Sequence, residues 1–189
     1  MKKMVLLFCV CSCIYASCNN EAKDSVEKAD SANEAKEDAT PAATQPDEAT
    51  SNFLVKAADG GMAEVSAGQL GEKKGTNAGV KRFAAMMVHD HTGANAEVKA
   101  LAAARNVTLP AATSDDNQQK AAKLGEKTGK DFDKSYMEMM VDDHKKTIDL
   151  FEDAEKNSKD TEVKTFITNT LPKLKMHLDS AQAIQKTLR

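Results

Sequence analysis

The chain has 189 residues, a formal net charge of −3, 41% hydrophobic residues and no tryptophan. This length and composition suit one globular domain with an aliphatic core and exclude a large multidomain enzyme. The 26 Lys and Arg residues do not outnumber the 29 Asp and Glu residues. No nucleic-acid partner is therefore expected, because phosphate binding needs an excess of basic groups.

The N-terminus has the pattern of a secretory signal. Two lysines precede an apolar run over residues 5–16, which is too short to span a bilayer and has the length of the hydrophobic region of a signal peptide. All four cysteines lie within the first 18 residues. The body of the chain therefore lacks the thiols needed for a disulfide, a thiolate metal site or a catalytic cysteine.

Small residues stand immediately before Cys18, in the run IYASC over residues 14–18. This run resembles the motif at which bacterial lipoproteins are cleaved and lipidated on the new N-terminal cysteine. The resemblance implies a signal peptide over residues 1–18, a lipid on Cys18 and a membrane as the partner of that lipid. No Asp follows the cysteine, which implies an outer-membrane or periplasm-facing envelope protein. The alternatives are lipidation at Cys13, which has a weaker match, an ordinary secreted protein and an uncleaved anchor.

Residues 19–50 have the composition of a disordered linker. They contain nine acids and three lysines, and Val26 is their only large apolar residue. Such a segment cannot bury enough apolar surface to offset the entropy lost on ordering. We therefore predict a disordered acidic tether over residues 19–50 and assign the folded domain to residues 51–189.

From residue 51 onward the sequence predicts only helices. Apolar residues recur at steps of three and four over long stretches, and no segment alternates with a period of two. The predicted main helices cover residues 51–73, 77–105, 131–157 and 161–187, and a short helix covers residues 114–127. We therefore predict an all-α fold in which four main helices form a bundle.

The second and third main helices carry the same pattern. The run FAAMMVHDH over residues 83–91 aligns with YMEMMVDDH over residues 136–144. The two terminal histidines come level if these helices run parallel, which requires a long crossover between them. The segment 106–130, with its short helix, is long enough for that crossover. In the antiparallel alternative, the short helix would only extend the third main helix.

Three of the four histidines fall on the apolar stripes of the predicted helices. His91, His144 and His177 each take a position otherwise occupied by core residues. We therefore expect their rings to face the core and to converge there. His89 lies about 200° around the helix from His91 and is expected on the surface.

Buried imidazoles need partners, and three that converge can be satisfied by a metal ion, by a water cluster or by hydrogen bonds to carboxylates. Neutral imidazole binds zinc, copper, iron and nickel. Met87 and Met140 each stand four residues before a histidine and add thioethers on the same faces, which favours copper, with zinc as another choice. The alternative is a metal-free core in which Met fills space and each histidine bonds a neighbouring group.

Carboxylates provide further candidate ligands. Glu64 is the first choice, because small residues on its helical face allow close approach of the helices, and Asp59 is the second, because its level along the bundle matches His91 better. Asp90 and Asp143 lie about 100° from the histidine stripes. They are expected either to bond histidines or other helices, or to face solvent.

Several motifs together resemble one uncharacterised bacterial family. They are GGMAEV at 60–65, VKRFAAMMVHDH at 80–91, VTLP at 107–110, FDKSYM at 132–137, MVDDH at 140–144, and TLP at 170–172 followed by His177. The family is a domain of unknown function, often described as a predicted outer membrane protein, and is regarded as ferritin-like. The resemblance implies a ferritin-like four-helix bundle with a long crossover and an envelope location, but it implies no activity.

Di-iron ferritin-like proteins carry a Glu-x-x-His pair on two helices. Here Val88 and Val141 stand three residues before His91 and His144, so iron chemistry is not expected. The sequence also lacks a Ser-His-Asp, Cys-His or phosphate-loop arrangement, and we assign no catalytic residue. It favours a lipid-anchored envelope protein that binds one transition-metal ion. The alternative is a metal-free structural or stress-associated interaction module, and an enzyme has the least support.

Overall fold

The computed structural model describes residues 23–39 and 46–188, and the predicted signal peptide and Cys18 lie outside these ranges. The described residues form six helices: α1 (Ser25–Ala39), α2 (Glu48–Lys74), α3 (Ala78–Ala104), α4 (Asp115–Gly125), α5 (Gly129–Asn157) and α6 (Thr161–Thr187). They contain no strand. The predicted all-α class is therefore confirmed. None of these helices is long and apolar enough to cross a membrane.

Five of the six described helices begin next to a capping side chain. In each of the five a side-chain oxygen accepts a hydrogen bond from a backbone N–H two or three residues later. These caps are Asp24 for α1, Asp47 for α2, Asn77 for α3, Ser114 for α4 and Asp160 for α6. Each such cap contributes about 1 kcal/mol. The caps at residues 77 and 160 follow short turns, so α2 with α3 and α5 with α6 form antiparallel pairs.

The two helix pairs pack against each other, with α2 on α5 and α3 on α6. The carboxylate of Asp133, near the start of α5, accepts hydrogen bonds from the backbone N–H groups of Thr76 and Asn77, just before α3, each at 2.9 Å. At the other end of α3, Arg105 pairs with Asp160, just before α6. Helices α3 and α5 therefore run parallel, and α4 lies in the crossover between them.

The core consists of two apolar clusters. One contains the packed rings of Phe53, Phe151 and Phe166, and the other contains Phe83 and Tyr136. Each of the three core histidines falls between members of the two clusters on its own helix. The flanking pairs are Met87 and Val98 on α3, Met140 and Ile148 on α5, and Leu174 and Ala181 on α6. The polar site therefore lies between two apolar regions.

Helix α1 lies within the segment that the sequence predicts to be a disordered tether, and here the structure differs from the prediction. Ala29 and Asn33 of α1 are buried. The Asn33 side chain donates to the carbonyl oxygen of Thr108 at 3.0 Å and accepts from its N–H at 2.7 Å. The prediction considered only large apolar side chains. This helix packs through a small apolar residue and completes the hydrogen bonds of an irregular segment.

Candidate metal centre

Three histidines from three helices meet in the middle of the core. The ring centroids of His91, His144 and His177 are 5.4–5.6 Å apart. One nitrogen of each ring lies within 4.8 Å of those of the other two. The side chains are buried, with exposed fractions of 6%, 0% and 2%. The three rings that the sequence predicts to converge therefore do so.

Hydrogen bonds fix which nitrogen of two of these rings carries the proton. Nδ1 of His144 lies 2.9 Å from the carbonyl oxygen of Met140, and Nε2 of His177 lies 2.9 Å from Oδ2 of Asp90. A carbonyl or carboxylate oxygen can only accept, so both ring nitrogens are donors. The second nitrogen of each ring, Nε2 of His144 and Nδ1 of His177, keeps its lone pair.

These lone pairs have no hydrogen-bond partner in the part of the chain that the structure describes. The same is true of Nε2 of His91, so each of the three rings has one buried nitrogen without a partner. Leaving a buried polar atom unpaired costs about 1–3 kcal/mol. A single metal ion would satisfy three such atoms at once, and imidazole nitrogen is a preferred ligand of several transition metals.

The rings are neutral at pH 7, as metal binding requires. Burial, together with repulsion from the other two histidines, lowers the pKa of His91 to about 3. Burial and the neighbouring His177 lower the pKa of His144 to about 4. Burial also lowers the pKa of His177, although Asp90 opposes this shift.

Asp90 links the buried cluster to the surface. Its Oδ1 accepts a hydrogen bond from Nδ1 of His89 at 2.9 Å, while its Oδ2 accepts the bond from His177. Burial raises the pKa of Asp90, but the hydrogen bonds with His89 and His177 outweigh it, and the pKa is lowered overall. The side chain of His89 is 88% exposed. The sequence left the role of Asp90 open between bonding a histidine and facing solvent, and the structure places it on His177.

Glu64 lies beside the cluster but is not one of its three converging groups. Its Oε1 is 3.4 Å from Nδ1 of His144, the nitrogen whose proton is already donated to Met140. Both carboxyl oxygens of Glu64 lack a hydrogen-bond partner among the described residues. Burial, with a smaller effect of Asp143, raises the pKa of Glu64 to about 8. Glu64 therefore carries a proton at pH 7.

Asp59, the second carboxylate candidate, is not at the site. Its oxygens accept hydrogen bonds from the N–H and hydroxyl groups of Ser114 at 2.7 and 2.9 Å, and from the Asn117 amide at 2.9 Å. Asp59 therefore holds the start of α4 against α2. Asp143 likewise bonds no histidine, and lies 4.0 Å from Lys120. Both carboxylates serve helix packing around α4.

Met87 and Met140 are both fully buried. They belong to the apolar cluster with Phe83 and Tyr136, on one side of the histidines. Met140 contributes to the site through its carbonyl oxygen, which orients His144. Coordination of a metal by the two thioethers stays a prediction.

A family model described as "Domain of unknown function (DUF4142)" matches residues 35–184. The chain belongs to this family. The matched range contains all three core histidines and begins within α1, so the DUF4142 domain includes part of the segment that composition assigns to a linker. No curated protein matches the chain. No solved structure matches it either.

The DUF4142 domain has a cavity of about 140 Å³ beside the histidines. His91, His177 and Glu64 are among its polar lining residues, and Phe151 and Phe166 are among its apolar ones. Sequence reasoning did not find this cavity. Its wall residues follow the same apolar periodicity as any core residue, so the sequence contains no local signal of the gap between them.

Proposed function

We propose that this protein binds one transition-metal ion through His91, His144 and His177. The observation that carries the proposal is the set of three buried ring nitrogens, one from each histidine, without a hydrogen-bond partner among the described residues. The hydrogen bonds from His144 to Met140 and from His177 to Asp90 support it. Metal-binding histidines commonly donate their second nitrogen to a carbonyl or carboxylate in this way.

Copper is the ion we propose, with zinc as the second choice. Among divalent first-row metals, a nitrogen donor set binds copper most tightly. Three imidazoles without a directly placed carboxylate form such a set. The thioethers of Met87 and Met140 would add soft donors, which further favours copper. Iron is the least suitable, because valines occupy the positions of the glutamates that di-iron helical proteins use.

The metal-free interaction module is the competing proposal. It requires the histidines to satisfy one another or their neighbours. Each ring instead retains one buried nitrogen that no described residue bonds. Three such nitrogens in one small volume would cost several kcal/mol if nothing filled the site. One metal ion would satisfy all three nitrogens together, whereas the interaction module needs ordered water for each of them.

Metal content of the purified full chain tests the proposal. After loading with copper or zinc and removal of free metal, we expect about one ion per chain by elemental analysis. We expect none in the His91→Ala/His144→Ala double variant, while the His89→Ala control should keep the ion, because His89 is exposed. Circular dichroism checks that each variant remains helical. A metal-free wild-type protein, or equal metal in the double variant, would favour the interaction module.

We also propose that the protein is an outer-membrane or periplasm-facing lipoprotein anchored through Cys18, with a ferritin-like bundle. The sequence before Cys18 supports the anchor, and the parallel α3 and α5 joined by a crossover with α4 support the bundle type. Cells that express the full chain should incorporate a labelled fatty acid into it. The label should disappear in Cys18→Ser and persist in Cys13→Ser. Labelling of Cys18→Ser equal to wild type would refute the anchor.

A further inference from the structure

The cavity beside the histidines has both polar and apolar lining residues. Among the polar ones are His91 and His177, whose Nε2 and Nδ1 have no described hydrogen-bond partner, and Glu64, whose two carboxyl oxygens have none either. Glu64 is only 4% exposed. An unpaired buried carboxyl group and two of the three core histidines therefore line the same cavity.

The apolar part of the lining is aromatic and aliphatic, and it stands beside polar residues such as Asn95 and Thr147. The apolar lining residues include Phe151, Phe166 and Leu174, which also belong to one of the two core clusters. The volume of about 140 Å³ is close to that of the engineered apolar cavity, roughly 150 Å³, that holds benzene in another protein. A single six-membered or five-membered ring is therefore the size of molecule that this space accepts.

The cavity can be reached from solvent. Exposed side chains such as Lys56 and Lys173 form part of its lining, together with the exposed Gly93. A Cβ atom built on Gly60 or Gly93 would meet nothing within 4 Å. Both glycines line the cavity, on α2 and α3, and larger side chains have room at these two positions.

We propose that this cavity binds a small monocyclic aromatic molecule with one donor atom, of the azole or phenol class. The ring would pack on the apolar lining residues, and its nitrogen or oxygen would complete the coordination of the metal from the side of His91 and His177, which line the cavity. This inference rests on the proposed metal site. It assigns that site an external ligand, whereas a purely structural metal would have none.

Cobalt(II) is the probe for the test, because its visible absorption bands respond to a change of ligand. The full chain is loaded with cobalt, its cobalt content is measured, and imidazole and phenol are then titrated into it. We expect a saturable change of the cobalt bands. Benzimidazole has the same donor atom on a larger, bicyclic ring system. It should bind at least about tenfold more weakly than imidazole.

Gly93→Leu adds a bulky side chain to the cavity lining and leaves the three core histidines in the sequence, so it should retain cobalt but bind imidazole at least about tenfold more weakly. Gly60→Leu repeats the test from α2 if the first variant does not fold. Gly125→Leu is the control, because Gly125 lies on α4 outside the cavity lining. If the wild-type protein retains copper but not cobalt, the visible band of copper(II) is followed in the same titration. A wild-type protein that retains neither metal would overturn the metal site and this inference together. Retained metal with unchanged bands, or equal imidazole binding by Gly93→Leu and wild type, would overturn this inference alone.

Discussion

Nε2 of His177 donates a hydrogen bond to Oδ2 of Asp90 at 2.9 Å, so a carboxylate on α3 holds a buried ring on α6. Asp90 itself is only partly exposed, at 22% of its side chain. The bond fixes the tautomer of His177 and leaves its Nδ1 free within the histidine cluster. The geometry of the proposed metal site therefore depends on a residue that does not contact the ion.

Removing this carboxylate should weaken metal binding. We expect Asp90→Ala to lower copper or zinc affinity by about 10–100-fold, the usual effect of losing a partner that orients a metal-binding histidine. Asp90→Asn should lose less metal affinity, because its amide oxygen still accepts the hydrogen bond from His177. Competition with a chelator measures both affinities. The exposed Asp142→Ala is the control, and an affinity unchanged in Asp90→Ala would contradict this role for Asp90.

The metal-free protein should become less stable in acid because of its histidines. The folded-state pKa values of His91 and His144, about 3 and about 4, lie below the ordinary value of 6.5. Between the folded-state pKa values and pH 6.5, the unfolded chain binds protons that the folded chain does not. The free energy of unfolding should therefore fall by about 1.5 kcal/mol for each ring between pH 6.5 and pH 5.

Urea unfolding in the presence of a chelator measures this fall, and the Glu64→Gln background removes the opposing contribution of Glu64. In that background the two rings together should lower stability by about 3 kcal/mol over the interval. A flat profile between pH 6.5 and pH 5 would show that these rings are not kept neutral in the folded protein.

Glu64 should produce the opposite pH dependence. Its folded-state pKa of about 8 exceeds the ordinary value of 4.5, so the folded chain holds a proton that the unfolded chain has lost. Stability from this group decreases as the pH rises from 4.5 to 8. Between pH 6.5 and pH 8, metal-free wild type should lose about 2 kcal/mol relative to Glu64→Gln. Parallel stability profiles for wild type and Glu64→Gln would show that Glu64 does not hold this proton in the folded chain.

Substitution by alanine should have opposite effects on stability at two glycines of α2. A Cβ on Gly68 would lie 2.8 Å from Cγ2 of Val88 and 3.0 Å from the backbone oxygen of Ala84, whereas one on Gly60 meets nothing within 4 Å. Gly68→Ala should cost about 1–3 kcal/mol through overpacking against α3. Gly60→Ala should gain about 0.5–1 kcal/mol, because alanine loses less backbone entropy in a helix. Urea unfolding tests both, and a stabilised Gly68→Ala would show that α2 and α3 are not in close contact there.

The attachment of α1 should depend on Asn33. Asn33→Ala removes both hydrogen bonds to the backbone of Thr108, which should lower stability by about 1–2 kcal/mol. Amide hydrogen exchange should accelerate in residues 106–112, the segment that α1 covers. The exposed Glu34→Ala on the same helix is the control. Unchanged exchange at Thr108 in Asn33→Ala would mean that α1 does not protect this segment.

The long helices and the convergence of three histidines could be predicted because both follow from periodicity within one helix. His91 and His144 occupy core positions of the same repeated pattern, so a single inference places them both. The bond between Asp90 and His177 could not be predicted in the same way. It depends on how α3 and α6 rotate against each other, and the two residues are 87 positions apart in the chain.

The misassigned features have a similar cause. Asp59 matches the level of His91 along the bundle, but α4 supplies Ser114 and Asn117 as nearer donors. Composition analysis missed the packing of α1 because Asn33 acts through hydrogen bonds to a distant loop. The cavity forms where side chains from several helices fail to meet. The sequence of any one helix contains no signal of that gap.

The packing of α1 also limits how far the domain can stand from a bilayer. From Cys18 to the start of α1 at Ser25, the polypeptide can extend at most about 25 Å. A disordered tether from Cys18 to residue 51 could extend about 110 Å. If Cys18 carries the proposed lipid, the histidine cluster is confined to a thin layer next to its own membrane. Any molecule that delivers the ion must then come to that layer.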